Sequence, residues 1–188
     1  MLNHSSKYAE LTDEQFLIIG KIVVEFSNME FLLGVVASRL LITPEFLGRS
    51  YTDKLSASAL QDVIINALDI HRRRYDFKII SSAQVDDIKK AIQRITQIRV
   101  LRNAFAHYCW TRQTDTEIFG TKLSGAIPKE SNPDKDSKII SNEELNKIYN
   151  EAYSIVEHLT KLIQELPELK EDIEILKKLK FKNKNFNA

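Results

Sequence analysis

With 188 residues, 43% of them hydrophobic and 28% charged, the chain suits one domain with a sizeable core, or a domain with an appended helix, and has a globular composition. Five Gly and four Pro are too few for a turn-rich β fold, and a net charge of +1 excludes a global pull toward nucleic acid, so any RNA site must be a local patch. A single Cys excludes an internal disulfide framework and makes a reducing, cytoplasmic setting the expectation.

Met1 to Glu10 is polar and does not read as a signal peptide. Thr12 or Asp13 is a suitable N-cap for a long first helix, which runs to Thr43-Pro44, where the proline turns its predecessor away from helix. The most apolar stretch, Phe16 to Ile42, is interrupted by Lys21, Glu25, Asn28, Glu30 and Arg39, too many for a lipid-facing span. Lys21, Glu25, Asn28 and Arg39 share one side of this helix. Glu30 lies about 180° away, which puts a carboxylate on the apolar side. Either its stem is covered while its head reaches water, or it pairs with Arg99 or Arg102 in a bundle interior.

A second helix is expected over Asp53 to Tyr75, with Leu60, Ile64, Ala67, Leu68 and His71 on one face. Its last residues, His71-Arg72-Arg73-Arg74, suit either RNA phosphates or a solvated helix C-terminus favoured by the dipole. A third helix follows, from Gln84 to Cys109. Next, the alternation in Glu117 to Leu123 suggests a short β-hairpin, and Gly125 to Lys138 reads as a polar loop, so an insertion sits close behind the third helix. Ser141-Asn142-Glu143-Glu144 is a capping box. It opens a fourth helix with an apolar stripe of Leu145, Ile148, Ala152, Ile155, Leu159, Leu162 and Leu166, ended or bent by Pro167. A last helix from Glu168, with Leu169, Ile173, Leu176 and Leu179 on its apolar side, leads to an Asn/Lys-rich tail. The expectation is an all-α up-down bundle of four to five helices over residues 1–188 as a single domain, with its core over about 12–166.

The third helix holds the residues that bear on chemistry. Ile88, Ala91, Ile92, Ile95 and Ile98 form its apolar stripe, and Arg102 continues the line, two heptads beyond Ile88. A buried charge costs on the order of several kcal/mol, so this cation calls for a carboxylate, a wet cleft or an anionic ligand. The bland alternative is an Arg and a His facing water at a helix C-terminus, both favourable to the macrodipole. Asn103 is one turn before His107, within reach of a ring nitrogen. Arg102 and His107 diverge by about 140° and converge only through the long Arg side chain, a distorted helix end or a second copy.

Arg102-Asn103-Ala104-Phe105-Ala106-His107, preceded by Arg99-Val100-Leu101 and set late in a helix of an all-helical chain, resembles the motif of the HEPN (higher eukaryotes and prokaryotes nucleotide-binding) superfamily. The resemblance covers the motif and the helix order from Asp13 to Leu166. It implies a four- or five-helix bundle, often a homodimer with two motifs meeting across the interface, and metal-independent endoribonuclease activity. It also admits a toxin or phage-defence component held inactive by a protein partner. One departure is visible: the toxin subgroup silenced by a nucleotidyltransferase antitoxin has a Tyr two places after the His, where this chain has Cys109, with Tyr108 adjacent to the His.

Cleavage of RNA through its own 2′-hydroxyl needs a base, an acid and positive charge on the phosphate. On this reading His107 is the acid/base, Arg102 holds the phosphate, Asn103 orients the imidazole, Glu30 positions Arg102, and Arg99 and Tyr108 support. Neither a cofactor nor a metal is expected: His4, His71, His107 and His158 are scattered, and no Gly-rich phosphate loop occurs. Cys109 reads as a buried structural thiol. The competing reading is a non-catalytic helical module that binds a protein partner or a nucleotide, with Arg102 and Glu30 as a structural ion pair.

Overall fold

Five helices and one small sheet make up the described residues, 9–122 and 137–170 of the computed structural model. The helices are α1 (Asp13–Leu40), α2 (Glu45–Thr52), α3 (Ala57–Tyr75), α4 (Ser82–His107) and α5 (Asn142–Glu165). The strands β1 (Cys109–Thr114), β2 (Glu117–Thr121) and β3 (Ser137–Ser141) form one antiparallel sheet in the order β1-β2-β3. The mostly helical expectation holds, and the inserted hairpin gains a third strand. Its first strand begins at Cys109, which the sequence assigns to helix, and its third takes Ser137 and Lys138 out of the expected loop. Leu123 to Asp136, the apolar positions Ile173, Leu176 and Leu179 of the expected last helix, and the tail lie outside the described residues. Among the described residues no helix is long and apolar enough to cross a membrane.

By their contacts the described residues fall into two compact units, one drawn from Met1–Met29 and Ala91–His158, the other from Glu30–Lys90 and Leu159–Ala188. In the first, Thr12 caps α1 through a reciprocal pair: Gln15 N donates to Thr12 Oγ1 at 3.2 Å and Thr12 N to Gln15 Oε1 at 2.9 Å. The other end of this fully buried Gln15 donates to Thr114 O at 3.2 Å, so one amide serves both the helix cap and the β1–β2 turn. Ser141 and Glu144 make the expected capping box at α5, with Ser141 N donating to Glu144 Oε2 at 3.0 Å and Glu144 N to Ser141 Oγ at 3.2 Å. Ile22, Ile95, Ile118, Leu145 and Ile155 are among its most buried side chains. Between α4 and α5, Arg94 Nε donates to Glu151 Oε1 at 2.8 Å and Arg94 Nη2 to Ser154 Oγ at 3.0 Å.

The second unit departs more from expectation. Helix α1 stops at Leu40, before Thr43-Pro44, because Ile42 N donates to Arg39 O and Thr43 N to Ser38 O, both at 3.1 Å, around a left-handed Ile42 (φ 52°). Pro44 then becomes the N-cap of α2, a helix the sequence reading missed. Asp53, expected to start the next helix, is the C-cap of α2. Ser56 supplies the better cap for α3, accepting from Ala59 N at 3.3 Å. Arg39, expected on the polar side, is 9% exposed. Its Nη2 lies 3.3 Å from Glu45 and 3.2 Å from Glu168, two carboxylates that make its burial tolerable. The expected α3 face is buried, and His71 Nε2 donates to Leu40 O at 2.8 Å. Arg72 and Arg73 both bind Asp69, at 2.6 and 2.7 Å, as residues of a solvated helix end do. The Arg72 hydrogen bond holds the Asp69 carboxyl below its usual range, against desolvation and with help from Arg73.

Gly48 sets how closely α2 approaches α1, since a Cβ there would fall on Ser38 Oγ and Thr43 Oγ1. Ala exceeds Gly as a helix former by about 1 kcal/mol, whereas overpacking costs about 1–3 kcal/mol. Gly48→Ala is therefore expected to lower stability in urea titration, the reverse of what propensity alone gives. A second expectation concerns acid. The Arg94 hydrogen bond outweighs desolvation and lowers the Glu151 pKa, so the unfolded chain takes up this proton more readily than the folded one. The stabilisation is present above the ordinary glutamate value of about 4.3 and fades as pH falls through the depressed folded value. Denaturation at successive pH values should show Glu151→Gln losing less stability on acidification than wild type, by no more than about 1 kcal/mol for so exposed a pair.

Candidate functional site

The last two turns of α4 do not continue the buried stripe. Ile88, Ala91, Ile92, Ile95 and Ile98 are buried as expected, but Arg102 is only half-buried, and the next buried residue is Ala104, about 160° around the helix from Ile88. The reason is the sheet: α4 turns a different face toward it once the chain reaches β1. Ala104 O accepts from Tyr108 N at 2.9 Å and from Trp110 Nε1 at 3.1 Å, so the Trp side chain satisfies a helix-end carbonyl. The indole stacks with Tyr108 (centroids 5.8 Å apart, planes at 23°) and packs against Phe105 at 5.3 Å.

Trp110 pairs with Gly120 across β1 and β2, and a Cβ on Gly120 would stand 2.5 Å from the indole ring. Gly120 in turn pairs with Lys138 on β3. Opposite residues share a face, so Trp110, Gly120 and Lys138 lie on one side of the sheet, with Ile118 and Ile140 buried further along it. Cys109, next to Trp110, faces the other way and is exposed, which corrects the buried-thiol expectation by simple strand alternation.

This seating leaves an open concavity of about 240 Å³ over the end of α4. Val100, Asn103, Ala104 and His107 line it from α4 and Tyr108 from just past the helix, while Lys138 lines it from β3 and Lys122 from just past β2. His107 and Asn103 are exposed and Tyr108 is half-buried. Arg102 is not among the lining residues; its Nη1 donates to Asn103 Oδ1 at 3.3 Å, which turns the Asn carbonyl toward the guanidinium. Arg99 is half-buried, and its Nη1 is enclosed without a hydrogen-bond partner among the described residues. Glu30 is half-buried and is not among the residues that line the concavity.

Of the lining residues, the sequence singles out His107, Asn103 and Tyr108 as candidates and does not single out Lys122 or Lys138. Their signal lies in strand register, which places Lys138 opposite Gly120 and is invisible in a stretch that reads as a polar loop. Among the described residues no group of three or more His, Cys, Asp or Glu is arranged to hold a metal ion. The chain matches no protein-family model, no curated protein and no solved structure.

The contact between Trp110 and Gly120 is the support of the site. Gly120→Ala is expected to cost about 1–3 kcal/mol through forced displacement of the indole, and Trp110→Ala about 3–5 kcal/mol through loss of the buried ring. Thermal melts followed by Trp fluorescence for the first variant, and by circular dichroism for the second, check both.

Proposed function

We propose that this protein is a HEPN-like, metal-independent endoribonuclease that works as a homodimer. The observation that carries this reading is the exposed imidazole of His107 in an open concavity with two lysines, because an acid/base needs access to substrate and a phosphate needs positive charge. A His buried in its own subunit, away from any concavity, would have favoured the non-catalytic module instead.

His107 removes the proton of a ribose 2′-hydroxyl, whose oxygen attacks the adjacent phosphorus. The bond from phosphorus to the 5′ oxygen breaks, and that oxygen takes a proton from the imidazolium of a second copy of His107. The products are a 2′,3′-cyclic phosphate and a 5′-hydroxyl, with no net change in protons. Arg102 points about 140° away from His107 on the helix, so its charge serves a phosphate held between two copies of the motif. Asn103 holds Arg102 through its carbonyl, Arg99 adds charge nearby, and Tyr108 borders the imidazole. Such an activity suits a toxin or defence component kept silent by a protein partner, in a cytoplasmic setting.

The test is RNA cleavage by wild type and His107→Ala with excess chelator, with product ends analysed. Wild type should leave cyclic phosphate ends, and His107→Ala should be slower by about 10²–10⁴-fold, the usual contribution of a general acid or base. Equal cleavage by the two proteins would remove His107 from the mechanism, and no cleavage by either would favour the binding module.

A further inference from the structure

Lys138 borders two concavities. On one side is the space containing His107, and on the other is a groove of about 360 Å³ lined by Leu101, Ile139, Ile140 and Ile148, with Glu144 and Lys147 contributing polar groups. Both lie in the first unit, and both draw on the same part of α4, through Val100 and Asn103 on one side and Leu101 on the other. The arrangement is therefore apolar groove, cation, then acid/base with a second cation, Lys122.

We infer that the sheet reads the substrate as single-stranded RNA: Lys122 and Lys138 hold the phosphate presented to His107, and the apolar groove beyond Lys138 takes a neighbouring base. This rests on the reading of His107 as the reacting group. A phosphate bound between two ammonium groups leaves the sugar at the imidazole, and the adjoining nucleotide meets Lys138 and then the groove. Entering an aliphatic groove requires a base out of its stack, which a loop or single strand supplies and a paired A-form helix does not. Glu144 and Lys147 offer an acceptor and a donor to the edge of that base, while Glu144 Oε2 also takes part in the α5 cap. The two lysines are positioning residues for the phosphate, with His107 the catalytic one.

The experiment is fluorescence anisotropy with the full chain and a short labelled single-stranded RNA carrying 2′-O-methyl riboses, which prevents cleavage. Lys122→Ala/Lys138→Ala should weaken binding at least about 10-fold and reduce the dependence of log affinity on log salt by about 0.7, the share of the one phosphate the two lysines hold on a single strand. Ile139→Ser, a neutral change at an exposed strand position, should weaken binding several-fold without changing the salt dependence. His107→Ala should bind as wild type does, and a duplex of the same sequence should bind more weakly than the single strand. Circular dichroism melts of each variant confirm folding.

Unchanged affinity in the double lysine variant, or a duplex bound as tightly as the single strand, overturns this inference while leaving His107-dependent cleavage intact. Lysine-dependent binding without any cleavage leaves the RNA site standing and sinks the nuclease reading. Failure of wild type to bind the single strand overturns both.

Discussion

Trp110 resting on Gly120 is the contact on which the candidate site depends. A flat ring of that size lies against a strand only where the facing residue has no side chain, and Gly120 provides that space. The indole then does two further things: it stacks with Tyr108 and packs against a tilted Phe105, and it gives its N–H to the carbonyl of Ala104. Aromatic burial holds the sheet on the end of α4, while the hydrogen bond removes the desolvation penalty that the indole N–H and a helix-end carbonyl would otherwise carry. His107 is thus carried on a helix end fixed from both sides, and its own side chain remains open to solvent.

The sheet also explains why a chain with almost no net charge can present a cationic recess. One face of β2 and β3 runs from the buried Ile118 and Ile140, through Gly120, to Lys138, with Lys122 just past the end of β2. The apolar end holds the element in place and the basic end reaches the helix terminus. A local patch of this kind is what the overall charge of +1 requires of any RNA-binding surface on this chain.

In the second unit a few specific contacts join neighbouring segments. Arg39 is enclosed by Glu45 and Glu168, His71 is tied to the carbonyl of Leu40, and Gly48 lets α2 lie close on α1. Each ties two segments together through a specific partner. The Arg72-Arg73-Arg74 run, which invites a phosphate-binding reading, is drawn back to Asp69 for two of its three cations.

Local rules determined much of this protein from sequence alone. The stripe from Ile88 to Ile98, the face of Leu60, Ile64 and His71, the box of Ser141 and Glu144, and the stop at Pro167 all depend on residues within a turn or two of each other, and all are found. So does the placement of Arg102 and His107 on divergent faces at the end of one helix. What sequence left open depended on partners distant in the chain. Arg39 reads as solvent-facing until Glu45 and Glu168 are brought to it, Cys109 reads as helical until Trp110 claims the strand, and Lys138 reads as a loop residue until register sets it opposite Gly120. Periodicity specifies which side of an element is apolar, but only the tertiary structure decides which long side chains find a counter-charge, and which cations come to share a cavity with His107.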